Sequence, residues 1–294
     1  MFLVVAAAPP AAAAPAAAVL LCFSVCSRFP LAIVWSSTTT TTHPPTQAPD
    51  AGQLQDVSPT RKTVVFVRHG ESDWNEIFNK SKLLLLPRLL YGVFRELLYI
   101  PTSHSIFIDS PLSKEGIGQA LTLQNFLTNY TPSTANSDAS ARASAPTYMD
   151  TLVATMKGEP NGLESVLVAS NLRRAINTAC VSFWGRLQKT KERITLLDSL
   201  QEMSRNVDTN ALAGPNEYPE MSVVQKALGP SFSAAATLDA SQNRGNKGMF
   251  SKALPRLEAF NNWVFNRGEP CVVVAGGHSL WFMNYFRTFL PKVW

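Results

Sequence analysis

The sequence predicts an α/β protein, a mostly parallel sheet flanked by helices on both faces. Short runs rich in β-branched residues recur at 63–67 (TVVFV), 165–169 (SVLVA) and 271–275 (CVVVA). Their near-continuous apolar character suits strands buried on both faces. Segments with helical spacing follow these strands, and strands alternating with helices argue for a parallel sheet. An apolar fraction of 46% against 16% charged residues is enough for a real core and excludes a charge-driven disordered chain.

Residues 1–60 have a different texture. Positions 1–34 are alanine-rich and apolar with Arg28 as the only charge, 36–49 form a Ser/Thr/Pro tract, and the first acid is Asp50. Such an acid-poor, hydroxyl-rich leader suggests targeting or anchoring, as a signal peptide, an organelle presequence or a signal-anchor helix. Pro9, Pro10 and Pro15 break its first apolar run, and Arg28 with Pro30 breaks the second. Neither half is a clean run of about 20 apolar residues. The expected destination is an organelle or the secretory and membrane-associated route.

The remaining residues, 61–294, are expected to form one domain with insertions at about 76–108, 131–160 and 206–250. A helix over 113–130 places Ile117, Leu121, Phe126 and Leu127 near helical spacing, with Ser113 as N-cap. Further helices are expected at 172–187, at 251–266 with Leu254, Leu257, Phe260 and Val264 on one face, and at 280–289. The segment 82–100 (KLLLLPRLLYGVFRELLYI) reads as a buried or lid helix pair broken at Pro87 and Gly92. Its alternative reading is a membrane-surface segment. A loop is expected at 131–146, and a long cap or loop region at 206–248.

The net charge of +5 suits anionic ligands or an acidic membrane surface. No stripe of Lys and Arg alternates with aromatics, so a nucleic-acid partner is not expected. Cys22 and Cys26 lie in the leader, while Cys180 and Cys271 sit in apolar stretches and read as core thiols. No pair has zinc-ligand or redox spacing.

The strongest local signal is Arg68-His69-Gly70-Glu71-Ser72-Asp73-Trp74-Asn75, directly after the first strand. Four other segments accompany it in order. They are Asp109-Ser110-Pro111-Leu112-Ser113 with Gly116, Gln119 and Ala120; Ser170-Asn171-Leu172-Arg173-Arg174-Ala175 with Thr178-Ala179; Leu200-Gln201-Glu202; and Gly277-His278-Ser279. Together they resemble the histidine phosphatase superfamily, whose first strand is followed by RHGxSxxN. The resemblance spans most of the chain after the leader. It implies a phosphoglycerate mutase-like fold and a metal-independent, cofactor-free phosphomonoester hydrolase. It also implies a small phosphorylated substrate, with a phosphoprotein as the alternative.

The physical logic of these residues agrees with the resemblance. Three of the segments follow strands and therefore gather at the carboxyl edge of the sheet, where open α/β folds bind ligands. Arg68 and Arg174 can grip phosphoryl oxygens through several donors of a fixed fork. Adjacent helical positions point about 100° apart, so only one of Arg173 and Arg174 should enter the pocket; the match selects Arg174. His69, neutral near neutrality, is the expected nucleophile. His278, Asn75 and Ser279 are expected to hold the same phosphate, and Glu202 to act as acid and then base. Glu192, Asp198 and Glu220 are competing carboxylates. His43 and His104 match no motif and are read as structural.

Two other readings of the family remain. The mutases resemble one another in a longer run after the acid, like E-R-x-Y-G-x-L-x-G, where this chain has Glu202-Met203-Ser204-Arg205-Asn206-Val207. That difference favours a phosphatase over a mutase. A catalytically silent phosphate-binding or scaffold protein is the third reading, and it would be expected to lose a pocket Arg or His. The chain ends at Trp294, soon after the last helix, where the family usually adds a strand. The C-terminal edge of the sheet is thus expected to be remodelled or incomplete.

Overall fold

The structure, a computed structural model, describes residues 60–79, 84–99, 104–132, 147–248 and 251–289, with backbone strands in the leader. Those leader strands are β1 (Phe2–Val5), β2 (Leu21–Phe23) and β3 (Leu31–Thr39). The others are β4 (Thr60–Arg68), β5 (Ser165–Ser170), β6 (Ile194–Leu197), β7 (Leu238–Asp239) and β8 (Cys271–Gly277). In space β4, β8, β5, β6 and β7 are neighbours in that order, and all pair in parallel. On the other side of β4 lies β3, antiparallel to it, followed by β1 and β2. The rest of the leader, His43 included, and the residues after Phe289 lie outside the described residues.

The helices are α1 (Asp73–Asn79), α2 (Leu85–Tyr99), α3 (Lys114–Asn129), α4 (Tyr148–Lys157) and α5 (Arg173–Ser182). They continue with α6 (Trp184–Thr190), α7 (Ser222–Leu228), α8 (Ala234–Thr237), α9 (Ala253–Phe265) and α10 (Ser279–Phe289). The alternation of side chains along β4 splits the core in two. Val65 and Val67 join Leu167, Ala169, Val273 and Ala275 against α3 to α7. Val64 and Phe66 point the other way, with Val168, Val272 and Val274, against Leu257 and Phe260 of α9 and Trp281 and Tyr285 of α10. Helices therefore cover both faces, as the sequence predicts. Every residue of β8, the strand between β4 and β5, is buried.

Local chemistry explains where the elements stop. Ser113 caps α3 by accepting from the Gly116 amide. The expected single helix at 172–187 is instead two, with α5 ending at Ser182 and α6 starting at Trp184. Within the expected loop and insertion after 131, α4 forms behind a capping box in which Thr147 and Asp150 satisfy each other's backbone. Strands β6 and β7 are too short to be read from periodicity.

Two further expectations need correction. The described part of the 82–100 stretch, residues 84–99, is neither a broken pair nor buried. It is one helix, because Pro87 falls in the first turn, where its missing N–H is not needed. Gly92 is its only buried residue, in contact distance of Ile77 and Phe107, while Leu86, Leu90, Phe94 and Leu97 face solvent. In α9, Leu257, Phe260 and Val264 are buried but Leu254 is exposed. Among the described residues no helix is long and apolar enough to cross a membrane.

Strand β8 and α5 approach closely, and a methyl group on Gly276 would overlap the Ala175 carbonyl. Gly276→Ala should therefore destabilise the protein by about 2 kcal/mol or more, through a forced backbone shift. Urea unfolding followed by circular dichroism would measure it.

Candidate active site

The carboxyl ends of β4, β5 and β8 lie side by side, and the segments leaving them converge. Arg68 ends β4, His69 follows it, and His278 follows β8. The His69 amide donates to the Gly277 carbonyl at 3.0 Å, which ties the two strand ends together. The His69 and His278 rings lie 4.9 Å apart between centroids. Arg174 sits in the first turn of α5 and is buried; its Nε donates to Nε2 of His69 at 3.3 Å. Thr178, one turn later, accepts from the Gly70 amide at 3.0 Å and donates to the Arg174 carbonyl at 2.8 Å. This threonine locks the loop after β4 onto α5.

Hydrogen bonding settles the tautomer of His69. Its Nδ1 lies 2.6 Å from the Gly70 carbonyl, which can only accept. In the neutral ring the proton is therefore on Nδ1, and Nε2 carries the lone pair. Burial, then the positive charges of Arg174 and Arg68, push the imidazole well below its ordinary range. His69 is neutral at pH 7. Burial, followed by Arg174, does the same to His278, whose Nε2 is 2.9 Å from Ser170 Oγ and whose Nδ1 is buried without a protein partner.

Glu202 belongs to this group. It is buried, and its charge acts on Arg68 while Arg174 and Lys247 act on it in turn. Burial pushes its carboxyl above the usual range, against the Met203 amide that donates to Oε1 at 2.7 Å. The competing carboxylates lie elsewhere. Glu192 pairs with Arg186 at 2.6 Å, Asp198 accepts from the Arg244 amide, and Glu220 meets His104 at 3.2 Å. Asn75 lies in the first turn of α1, its amide directed at Ser72 Oγ, and Ser279 opens α10 next to His278.

Arg173 and Arg174 diverge, as expected of adjacent helical positions. Arg173 turns away and donates to the carbonyls of Asp109 (2.6 Å), Ile108 (3.0 Å) and Ser105. Asp109, buried and held at φ 50°, accepts from the Arg173 amide at 2.8 Å and the Leu212 amide at 3.1 Å. It thus caps α5 from a distant loop, since the N-cap residue Leu172 makes no side-chain cap bond.

Three residues of the site escape the sequence analysis. Asp208 accepts from Arg174 Nη1 through its carbonyl (2.7 Å) and its carboxylate (3.2 Å). Lys247 donates to the carbonyls of Glu202 and Ser204 and to Thr209 Oγ1; burial, then Arg256, push its ammonium down to about 8. Arg256 donates to the Gln201 carbonyl and acts electrostatically on Glu202 and His278. All three come from or follow the 206–250 insertion, where a single Asp, Lys or Arg carries no periodic signal. Among the described residues no group of three or more His, Cys, Asp and Glu could hold a metal ion. Cys180 and Cys271 are buried free thiols, Cys271 pushed up to about 12 mainly by burial.

The arrangement can hold an anion against the guanidinium groups of Arg68 and Arg174, present a neutral imidazole lone pair to it, and bring a buried carboxyl of raised proton affinity to the same group. No protein-family model matches the chain, and no curated protein matches it significantly.

Arg173 should act on stability rather than on chemistry. Arg173→Ala would leave Asp109 buried without its cation, at a cost of about 3–5 kcal/mol. Thermal unfolding should show that loss, whereas Arg174→Lys, which keeps the charge but loses the planar fork, should lower affinity for an oxyanion such as sulfate far more than stability.

Proposed function

We propose that the protein is a metal-independent phosphomonoester hydrolase of the histidine phosphatase type, with the phosphoglycerate mutase-like fold implied by its motifs. The observation that carries this reading is the geometry at His69: a buried, neutral ring whose lone pair at Nε2 accepts from the guanidinium of Arg174 at 3.3 Å. A phosphoryl group drawn to Arg174 would thereby be brought to the nucleophile.

In the first step Nε2 of His69 attacks phosphorus in line and forms the P–N bond, while the ester P–O bond breaks. Glu202 gives its proton to the departing oxygen. Burial keeps that carboxyl protonated to higher pH than an ordinary glutamate, which is what an acid near neutrality needs. In the second step the Glu202 carboxylate takes a proton from water, whose oxygen attacks phosphorus as the P–N bond breaks. Inorganic phosphate leaves and both groups return to their starting states. Arg68, Arg174 and His278 would hold the non-bridging oxygens throughout, where charge stabilisation is the main contribution of a protein to phosphoryl transfer. Asn75 and the Ser279 amide are further candidate donors.

Glycolytic mutase chemistry uses the same two half-reactions with a hydroxyl replacing water. The difference from the mutase signature after Glu202 favours hydrolysis here.

His69→Ala should lower turnover of an aryl phosphate by about 10⁴-fold or more, since a removed nucleophile leaves only residual catalysis. EDTA should leave the parent unchanged. Clear chelator sensitivity, or an active His69→Ala variant, would sink the reading. Glu202→Gln should cost about 10²–10⁴-fold with an alkyl phosphate and far less with p-nitrophenyl phosphate, whose leaving group needs little protonation. In the parent, alkyl phosphate turnover should fall as pH rises through the raised Glu202 value, and a kcat–pH profile would locate that limb.

A further inference from the structure

Arg174 already has a negatively charged partner. Its Nη1 donates to the carbonyl (2.7 Å) and to carboxylate oxygen Oδ2 (3.2 Å) of Asp208, while its Nε donates to His69. The Asp208 side chain is 8% exposed, and Oδ1 is buried without a protein partner. We propose that Asp208 is a specificity-determining residue: its carboxylate holds the place on Arg174 that a tetrahedral anion takes, and the anion enters together with a proton that neutralises Asp208. This rests on the reading of Arg174 as the phosphoryl grip.

The alternative way to clear the place would be to swing Asp208 out, and the surrounding bonds oppose that. Thr209 Oγ1 donates within the Ser204–Asn206 turn, and the Thr209 carbonyl accepts from Gln201 Nε2 at 2.8 Å. Lys247 Nζ holds the Ser204 carbonyl at 2.6 Å and Thr209 Oγ1 at 3.0 Å. Gln201 is itself fixed to Asn246 Oδ1 at 2.7 Å. The segment is therefore tied on both sides of Asp208.

Protonation meets less resistance. The charged groups acting on Asp208 are Arg174 from α5, Lys247 from the loop before α9, and Glu202 from its own segment. The two cations favour the carboxylate, but burial outweighs them and already pushes Asp208 above the ordinary range. A second anion on Arg174 adds a like charge beside it and raises it further. Once protonated, Oδ1 changes from an unpartnered acceptor into a donor that can face the entering anion. The sign follows: a proton taken up on binding makes affinity for a fixed-charge anion rise as pH falls.

Sulfate is a suitable probe because its charge does not change near neutrality. Calorimetric titration of the full chain with sulfate, in buffers of different ionisation enthalpy, would give affinity and proton uptake together. The expected result is about tenfold tighter binding by Asp208→Asn than by the parent near pH 8, with the parent's uptake of about one proton abolished. Asp208→Ser, which also removes the charge, serves if the asparagine variant does not fold. A folded variant that binds no more tightly, or that takes up the same proton, would overturn the proposal and place that proton on another group. Arg174→Gln separates the two layers of the argument. If it binds sulfate as well as the parent, or if the parent binds none, the phosphoryl grip itself is wrong and this inference falls with it.

Discussion

Two adjacent guanidinium groups are buried at the start of α5, and the loops around them are arranged to meet both. A buried cation without acceptors costs several kcal/mol, and Arg173 and Arg174 are each only 2% exposed. Because neighbouring helical residues diverge, the acceptors must arrive from two directions. Arg173 draws in the 105–109 loop through three carbonyls, and Arg174 draws in the segment carrying Asp208. Asp109 then closes the circuit, joining the Arg173 amide to the Leu212 amide in the same cap as Asp208. One helical turn thus fixes two insertions that lie far apart in sequence.

That arrangement also sets the protonation states. The other titratable groups of the site respond to burial and to these guanidinium groups. The two histidines lose affinity for protons, because burial and the neighbouring cations act in the same direction. The carboxyls of Glu202 and Asp208 experience opposing influences, and burial prevails for both. The proton affinities of imidazole and carboxyl are thereby moved towards each other from their ordinary, well-separated values in water. Here burial raises the proton affinity of the carboxyl against the neighbouring cations, while burial and the same cations together lower that of the imidazoles.

The fold class and the core of the site were legible because each rests on a pattern longer than one residue. The β-branched runs marked β4, β5 and β8, and the Ser113 cap marked the start of α3. The positions of Arg68, His69, Arg174 and His278 came from motifs attached to strand ends, and the structure brings them together. Strands β6 and β7, of four and two residues, offer no period to detect. The α2 segment was misread because Pro87 and Gly92 are breakers only in a helix interior: one falls in the first turn, the other at a close contact with Ile77 and Phe107. Asp208, Lys247 and Arg256 were invisible for a different reason. Their roles come from tertiary burial, and an isolated charged residue in a loop is ordinarily solvated.

The division between what was legible and what was not coincides with a physical division of the site. Arg68, His69, Arg174 and His278 stand on strand ends and a helix terminus, placed by backbone pairing and by the Thr178 bridge. Glu202 stands on the segment after β6, and neutral side-chain bonds through Gln201 and Asn246 set much of that segment's position. Asn171 extends this connection, reaching from the loop after β5 to Asn243 and Gly245 in the cap. Changes in the cap can therefore shift the Glu202 carboxyl, and through Asp208 they also reach Arg174. The strand-end residues and Glu202 are thus held by different parts of the chain, and the pairing of Asp208 with Arg174 is where the two meet.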